Sequence, residues 1–216
     1  MVRVKICCIA SVQEAMLAIQ YGASAVGLVS EMPSGPGVIP ESRIREIADR
    51  TPPAIGTFLL TSRQDADAII EQQGRCRVNT IQLCDWPKPG THQKLKDALP
   101  GIAIVQVIHV LGEDAIQAAE GIAPDVDAIL LDSGNPHLPT KTLGGTGRTH
   151  DWEISHRICQ QIPRPIFLAG GLTPQNVKAA IEMVQPYGVD VCSGVRTAGK
   201  LDEQKLWAFF EQMRTA

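Results

Sequence analysis

The sequence predicts an α/β chain folded as a closed barrel of eight strand–helix units, (β/α)8, and three observations carry that expectation. Short apolar runs alternate with longer amphipathic stretches, eight times along the chain, at roughly 25 residues per cycle. The apolar runs are nearly unbroken rather than alternating, as befits strands buried on both faces of a parallel sheet that helices cover. Glycine-rich loops follow several of the runs, on the side where such a barrel carries its binding loops. Eight cycles in 216 residues fit one barrel domain, residues 1–216, near the lower end of the usual size. A doubly wound open sheet is the alternative that the pattern alone leaves standing.

Residues 2–7 open the chain as a strand, and 12–21 follow as a helix in which Ala15, Met16, Ala18 and Ile19 recur at helical spacing. The second strand, 25–29, leads into the Pro/Gly-rich stretch 32–37, read as a loop on the active face, and then into a helix over 41–49. The third unit pairs a strand at 54–59 with a helix at 63–73, and the fourth pairs 80–83 with 91–98. The fifth pairs 104–108 with a helix around 115–119. The sixth strand, 128–131, is separated from its helix, 152–161, by a long loop that contains Gly134, Gly144, Gly145 and Gly147. Strands at 166–169 and 189–192, with helices at 173–183 and 202–213, complete the cycle.

A net charge of −3 supplies no general attraction to nucleic acid or an anionic membrane, so neither is an expected partner. Anion binding must then come from local geometry. No apolar run reaches the ~20 residues of a membrane-spanning helix. The first residues read as a strand and not as a signal peptide. The six cysteines, at positions 7, 8, 76, 84, 159 and 192, are too dispersed for the framework of a small secreted domain. They are expected as reduced thiols in a cytoplasmic protein, and a homodimer is compatible with the sequence.

In this architecture chemistry sits at the carboxyl ends of the strands, and the loops after strands 7 and 8 commonly hold phosphate. Gly144-Gly145-Thr146-Gly147, Gly170-Gly171 and Ser193-Gly194 stand on that rim. Backbone without Cβ atoms lets consecutive N–H groups converge on an anion. One such loop alone is more often a tight turn; three on one rim favour a phosphate site. Cys7 ends strand 1 and Asp132 ends strand 6, on opposite sides of the mouth. A thiolate and a carboxyl so placed can take a proton from carbon and give one to oxygen. Singly, a strand-end cysteine is more often an inert buried residue and a strand-end aspartate a loop organiser.

These residues resemble phosphoribosylanthranilate isomerases over essentially the whole chain. The family's K-I-C-G is matched by Lys5-Ile6-Cys7, and its G-A-D-A-x-G-F by Gly22-Ala23-Ser24-Ala25-Val26-Gly27-Leu28. Its L-D-S, G-G-T-G and D-W runs appear as Leu131-Asp132-Ser133, Gly144–Gly147 and Asp151-Trp152. L-A-G-G-L-x-P-x-N-V is complete from Leu168 to Val177, and G-V-D-V-x-S-G-V from Gly188 to Val195. The resemblance implies a TIM barrel that carries out an Amadori rearrangement of a phosphorylated aminosugar, aminoaldose to aminoketose. It implies Asp132 as general acid, Cys7 as general base, and Gly145, Gly171 and Gly194 with neighbouring backbone around the phosphate. No metal and no organic cofactor is implied, since the substrate's own imine serves as electron sink.

The departures concentrate at the other end of the substrate. Where the family's S-P-R-Y loop places an arginine against the anthranilate carboxylate, this chain has Ser34-Gly35-Pro36-Gly37, with Pro36 at the arginine's place. Such a charge-assisted pair is worth ~1.5–3 kcal/mol. The family's Q-L-H-G becomes Gln82-Leu83-Cys84-Asp85, its K-I-C-G glycine is Cys8, the aromatic before D-W is His150, and the glutamate after S-G-V is Arg196. Arg196, Cys84 and His150 are therefore the candidates for the rebuilt substrate end, with Arg196 or Arg148 as a replacement cation. Cys8 is expected to point away from Cys7 if strand alternation continues. Two other readings stand beside the enzyme. One is a phosphosugar-binding barrel without catalysis, which needs neither Cys7 nor Asp132. The other is a metal site from Cys7, Cys8, Cys84, His109 and Asp132, for which the spacing of known ligand motifs is missing.

Overall fold

The computed structural model describes residues 2–214. Eight parallel strands close into a barrel in chain order. They are β1 (Arg3–Ile6), β2 (Ala25–Val29), β3 (Gly56–Thr61), β4 (Thr80–Leu83), β5 (Ala103–His109), β6 (Ala128–Asp132), β7 (Ile166–Leu168) and β8 (Gly188–Val191). The helices between and after them are α1 (Val12–Tyr21), α2 (Glu41–Arg50), α3 (Ala66–Cys76), α4 (Thr91–Ala98), α5 (Asp114–Ile122), α6 (Trp152–Gln161), α7 (Val177–Val184) and α8 (Glu203–Arg214). The last strand returns to the first in register, Lys5 opposite Asp190 and Ile6 opposite Val191, which excludes the open sheet. A short hairpin, β9 (Arg196–Thr197) with β10 (Lys200–Leu201), lies between β8 and α8. Two-residue strands have no periodicity, and the sequence reading does not contain them.

Where observed and expected boundaries differ, a local hydrogen bond explains the shift. β3 begins at Gly56 and not at 54 because Ile55 N–H donates to the Pro52 carbonyl in a turn. α3 starts at Ala66 because the Asp65 carboxylate accepts from the N–H groups of Asp67 and Ala68 and caps the helix there. α7 starts at Val177, four residues late, because 173–176 form a turn in which Thr173 N–H donates to Asn176 Oδ1 and Asn176 Nδ2 to the Gly171 carbonyl.

Successive side chains along each strand face opposite ways. In β1, Val4 and Ile6 face outward into a core shared with Ala15, Ala18 and Phe209 of the surrounding helices. Lys5 and, just past the strand, Cys7 face inward. Phe58 and Phe167 fill the barrel interior edge to face, centroids 6.0 Å apart, with Leu60, Val105, Val107 and Leu130 around them. The same alternation brings Asp132 of β6, Cys84 after β4, Asp190 of β8 and Cys192 just after it to the inner side. Packing the barrel floor with apolar groups thus leaves the polar inward positions at the carboxyl end, where the loops open.

Candidate active site

The mouth of the barrel is lined by Cys7, Cys84, Asp132, Asp190 and Cys192 from the strand ends. Over them lie Gly144, Gly145, Thr146 and Gly147 of the β6–α6 loop, Gly170 and Gly171 after β7, and Ser193 after β8. The expected acid/base pair and most of the expected cradle therefore share one cavity. Gly170 and Gly171 have consecutive positive φ values, 84° and 63°, a conformation that turns neighbouring N–H groups toward one side and that residues with a Cβ rarely adopt. Gly194 packs against the Leu172 carbonyl so closely that a Cβ there would lie 2.0 Å from the oxygen. Among the described lining residues there is no lysine or arginine, so an anion would be held by backbone N–H and by hydroxyls. Of the latter, Thr146 Oγ1 is hydrogen-bonded to Ser133 Oγ at 2.6 Å.

Asp132 is 8% exposed, and burial raises its pKa to about 6 against a bond of 2.7 Å from Ser133 N–H that favours the charged form. Such a carboxyl keeps its proton at a pH where an exposed aspartate has lost it. Cys7 is 5% exposed at the opposite side of the barrel. Its thiol and the Lys5 ammonium share space left free by Gly27, where a Cβ would lie 2.8 Å from Cys7 Sγ and 3.1 Å from Lys5 Nζ. Lys5 is fully buried and paired with Asp190 at 2.8 Å. Burial opposes its charge, but attraction to Asp190 and Cys7 overrides that and its pKa ends raised. The other Asp190 oxygen, Oδ1, is buried without a partner, and burial raises this carboxyl's pKa.

Neither Lys5 nor Asp190 was among the candidates, although strand alternation could have found them. Each stands two residues before a mouth cysteine, and the two are directly opposite in register. Also unforeseen is a clasp between loops. Ser34 Oγ donates to the Lys141 carbonyl at 2.6 Å, Lys141 Nζ meets Asp85 at 2.5 Å, and Pro36 packs against Gly145.

Three expectations are corrected. Arg196 does not reach the substrate end: its guanidinium donates to the carbonyls of Cys7, Cys8 and Gly199 and pairs with Glu14 at 3.2 Å. A side chain so committed beneath the strand ends has no reach into the mouth. His150 lies behind the β7 loop, near Gly170, where its Nε2 is hydrogen-bonded to Ser155 Oγ at 2.7 Å and burial lowers its pKa to about 4. It supports the Gly170-Gly171 turn. Cys8 does not point away: β1 ends at Ile6, Cys8 takes φ 60°, and its side chain turns into the mouth. Cys84 does line the mouth, and burial raises its thiol pKa. Among the described residues no group of three His, Cys, Asp or Glu side chains is arranged to hold a metal ion. No described helix is long and apolar enough to cross a membrane.

The family described as N-(5′-phosphoribosyl)anthranilate (PRA) isomerase matches residues 4–212. N-(5′-phosphoribosyl)anthranilate isomerase 2 of Methanosarcina mazei is 36% identical over 214 residues, covering 98% of this chain and 94% of the relative. The solved N-(5′-phosphoribosyl)anthranilate isomerase of Pyrococcus furiosus superposes with a TM-score of 0.83 at 27% identity, over all of both chains. A phosphoribosyl anthranilate isomerase in complex with reduced 1-(o-carboxyphenylamino)-1-deoxyribulose 5-phosphate gives 0.80 at 27% identity, again over all of both chains. With an acid, a thiol and glycine loops on one barrel mouth, and with matches along its whole length, the chain belongs to the phosphoribosylanthranilate isomerase family, enzymes of the Amadori rearrangement in tryptophan biosynthesis.

Proposed function

We propose that Asp132 and Cys7 perform this rearrangement on N-(5′-phosphoribosyl)anthranilate, with the phosphate seated between the loops at Gly144–Thr146, Gly170-Gly171 and Ser193-Gly194. The protonated Asp132 gives its proton to the ribose ring oxygen as the C1–O bond breaks, and the nitrogen lone pair forms the imine. The Cys7 thiolate, supported by Lys5, then removes the C2 proton. The electrons move into the C1–C2 bond, and the resulting enolamine tautomerises to the aminoketose. The observation that carries the reading is a carboxyl whose pKa burial raises to about 6, across the same mouth from a thiol beside a buried cation.

Purified protein should turn over phosphoribosylanthranilate, and Asp132→Asn and Cys7→Ser should each lower kcat by about 10²-fold or more with little change in KM. General acid–base groups act mainly in the transition state, where each contributes about 10²–10⁴-fold. Full activity in either variant removes that residue from the mechanism. The other end of the substrate is less discriminating on this reading. Pro36 fills the place against Gly145, Arg196 is committed elsewhere, and Lys141 is bound to Asp85.

A further inference from the structure

We propose that Cys8 and Cys192 form a redox dithiol that closes to a disulfide across the seam between β1 and β8, taking a low-molecular-weight disulfide as its oxidant. The seam brings the two together. β8 is bonded to β1 with Val191 opposite Ile6, and Cys7 N–H still donates to the Val191 carbonyl at 2.8 Å. Cys8 then leaves the strand in a left-handed conformation that is uncommon for a residue with a Cβ. That turn places its Sγ 2.6 Å from Cys192 Sγ. The conformation is held from two sides: Arg196 binds the Cys7 and Cys8 carbonyls, and Gly37 packs on the Cys8 Cβ. Both sulfurs are free thiols that line the mouth, Cys8 buried and Cys192 half-buried, so an oxidant entering by the substrate's route meets Cys192 first. The isomerisation proposed above uses neither.

The electrostatics assign an order to the two. Contact with Cys8 lowers the Cys192 pKa against the opposing effect of burial, with help from Arg196 and Lys5, while the same contact raises that of Cys8. Cys192, which is also the more exposed of the two, is therefore the attacking thiolate. Its sulfur bonds to one sulfur of the external disulfide, whose S–S bond breaks and expels a thiolate that takes up a proton. Cys8 then loses its proton to solvent, bonds to Cys192 Sγ and expels the second thiol. Two protein thiols are oxidised and one external disulfide is reduced to two thiols. Exchange of this kind runs backward in excess reductant. The bond would join residues 184 apart, closing almost the whole chain into one loop. A cross-link of that span removes more unfolded-state entropy than a short one, so the oxidised barrel should be the more stable form.

The test uses the full-length protein with glutathione disulfide as probe. Thiols counted in denaturant should fall from six to four. Fragment mass spectrometry should show Cys8 bonded to Cys192 with Cys7 still open to alkylation. Tm should rise by at least about 5 °C on oxidation and return with reductant. Cys8→Gly and Cys192→Ser should each keep their five thiols and show no such rise. A count that stays at six, a linkage that includes Cys7, glutathione on Cys192 with no internal bond, or linkage without a rise in Tm would overturn the proposal. None of these readouts depends on isomerase turnover, so the two proposals fail separately.

Discussion

At the end of β6 a carboxyl group is buried at the mouth and accepts a hydrogen bond from the Ser133 backbone N–H. Its environment makes Asp132 useful and makes the fold pay for it. The folded pKa of about 6 lies above the ordinary value of 3.8, because burial disfavours the charge. Between those values the native state keeps a proton that the unfolded chain has released. The associated stability is present below pH ~4 and is lost as pH rises through ~6, by up to about 3 kcal/mol at 1.36 kcal/mol per pKa unit. Asp132→Asn has no such titration. In urea unfolding at pH 4, 6 and 8 the variant should lose less stability with rising pH than wild type, and at pH 8 it should be the more stable protein while nearly inactive. Equal pH dependence in both would show that Asp132 ionises freely. Cys7 and Asp132 were legible because each ends a strand inside a recognisable run of residues. Cys8 was not, since alternation foretells a side chain's direction only while the strand lasts, and a single left-handed residue reverses it.

Between β8 and α8, the hairpin of β9 and β10 looks like a detail of connection, yet it carries Arg196. That guanidinium joins the carbonyls of Cys7 and Cys8 to Glu14 of α1, and Glu14 in turn accepts from the N–H groups of Ala10 and Leu201. One ion pair, between a buried arginine and a half-buried glutamate, thus ties the loop after β1, the first helix and the hairpin. The sequence offers Arg196 as a replacement for the cation missing at Pro36, because it departs from the family's glutamate after S-G-V; which way a residue after a strand end turns is decided by tertiary partners. Long elements with a clear period were legible to within a few residues, whereas a two-residue strand was not. Arg196→Ala should lower stability by about 1–3 kcal/mol, since it leaves the buried Cys7 and Cys8 carbonyls without their donor, and calorimetry would show it as a lower Tm. It should not alter the ratio of kcat/KM between phosphoribosylanthranilate and an analogue lacking the carboxylate. A ratio that collapses toward the analogue would return Arg196 to the substrate.

For the barrel as a whole, closure and chemistry meet at the same place. The register that closes the cylinder sets Lys5 against Asp190, and this pair, 0% and 8% exposed, lies across the seam with Cys7 on one side. Lys5 also sits over the Phe58 ring, 5.3 Å from its centroid, so the cation is anchored above the apolar floor. A buried pair of this kind is weak support for stability in itself, because desolvation offsets much of the attraction; the loss comes when one partner is left. The two roles can therefore be separated. Lys5→Met should destabilise the fold by about 3–5 kcal/mol, leaving Asp190 charged and alone, and Asp190→Leu should do the same to Lys5. The double variant removes both charges and should recover much of that stability, by an interaction energy of at least about 2 kcal/mol in a double-mutant cycle. Turnover should not recover with it, because the thiolate of Cys7 would have lost its neighbouring cation. A double variant that regains both stability and turnover would mean that Lys5 serves closure alone and that Cys7 finds its activation elsewhere in the mouth.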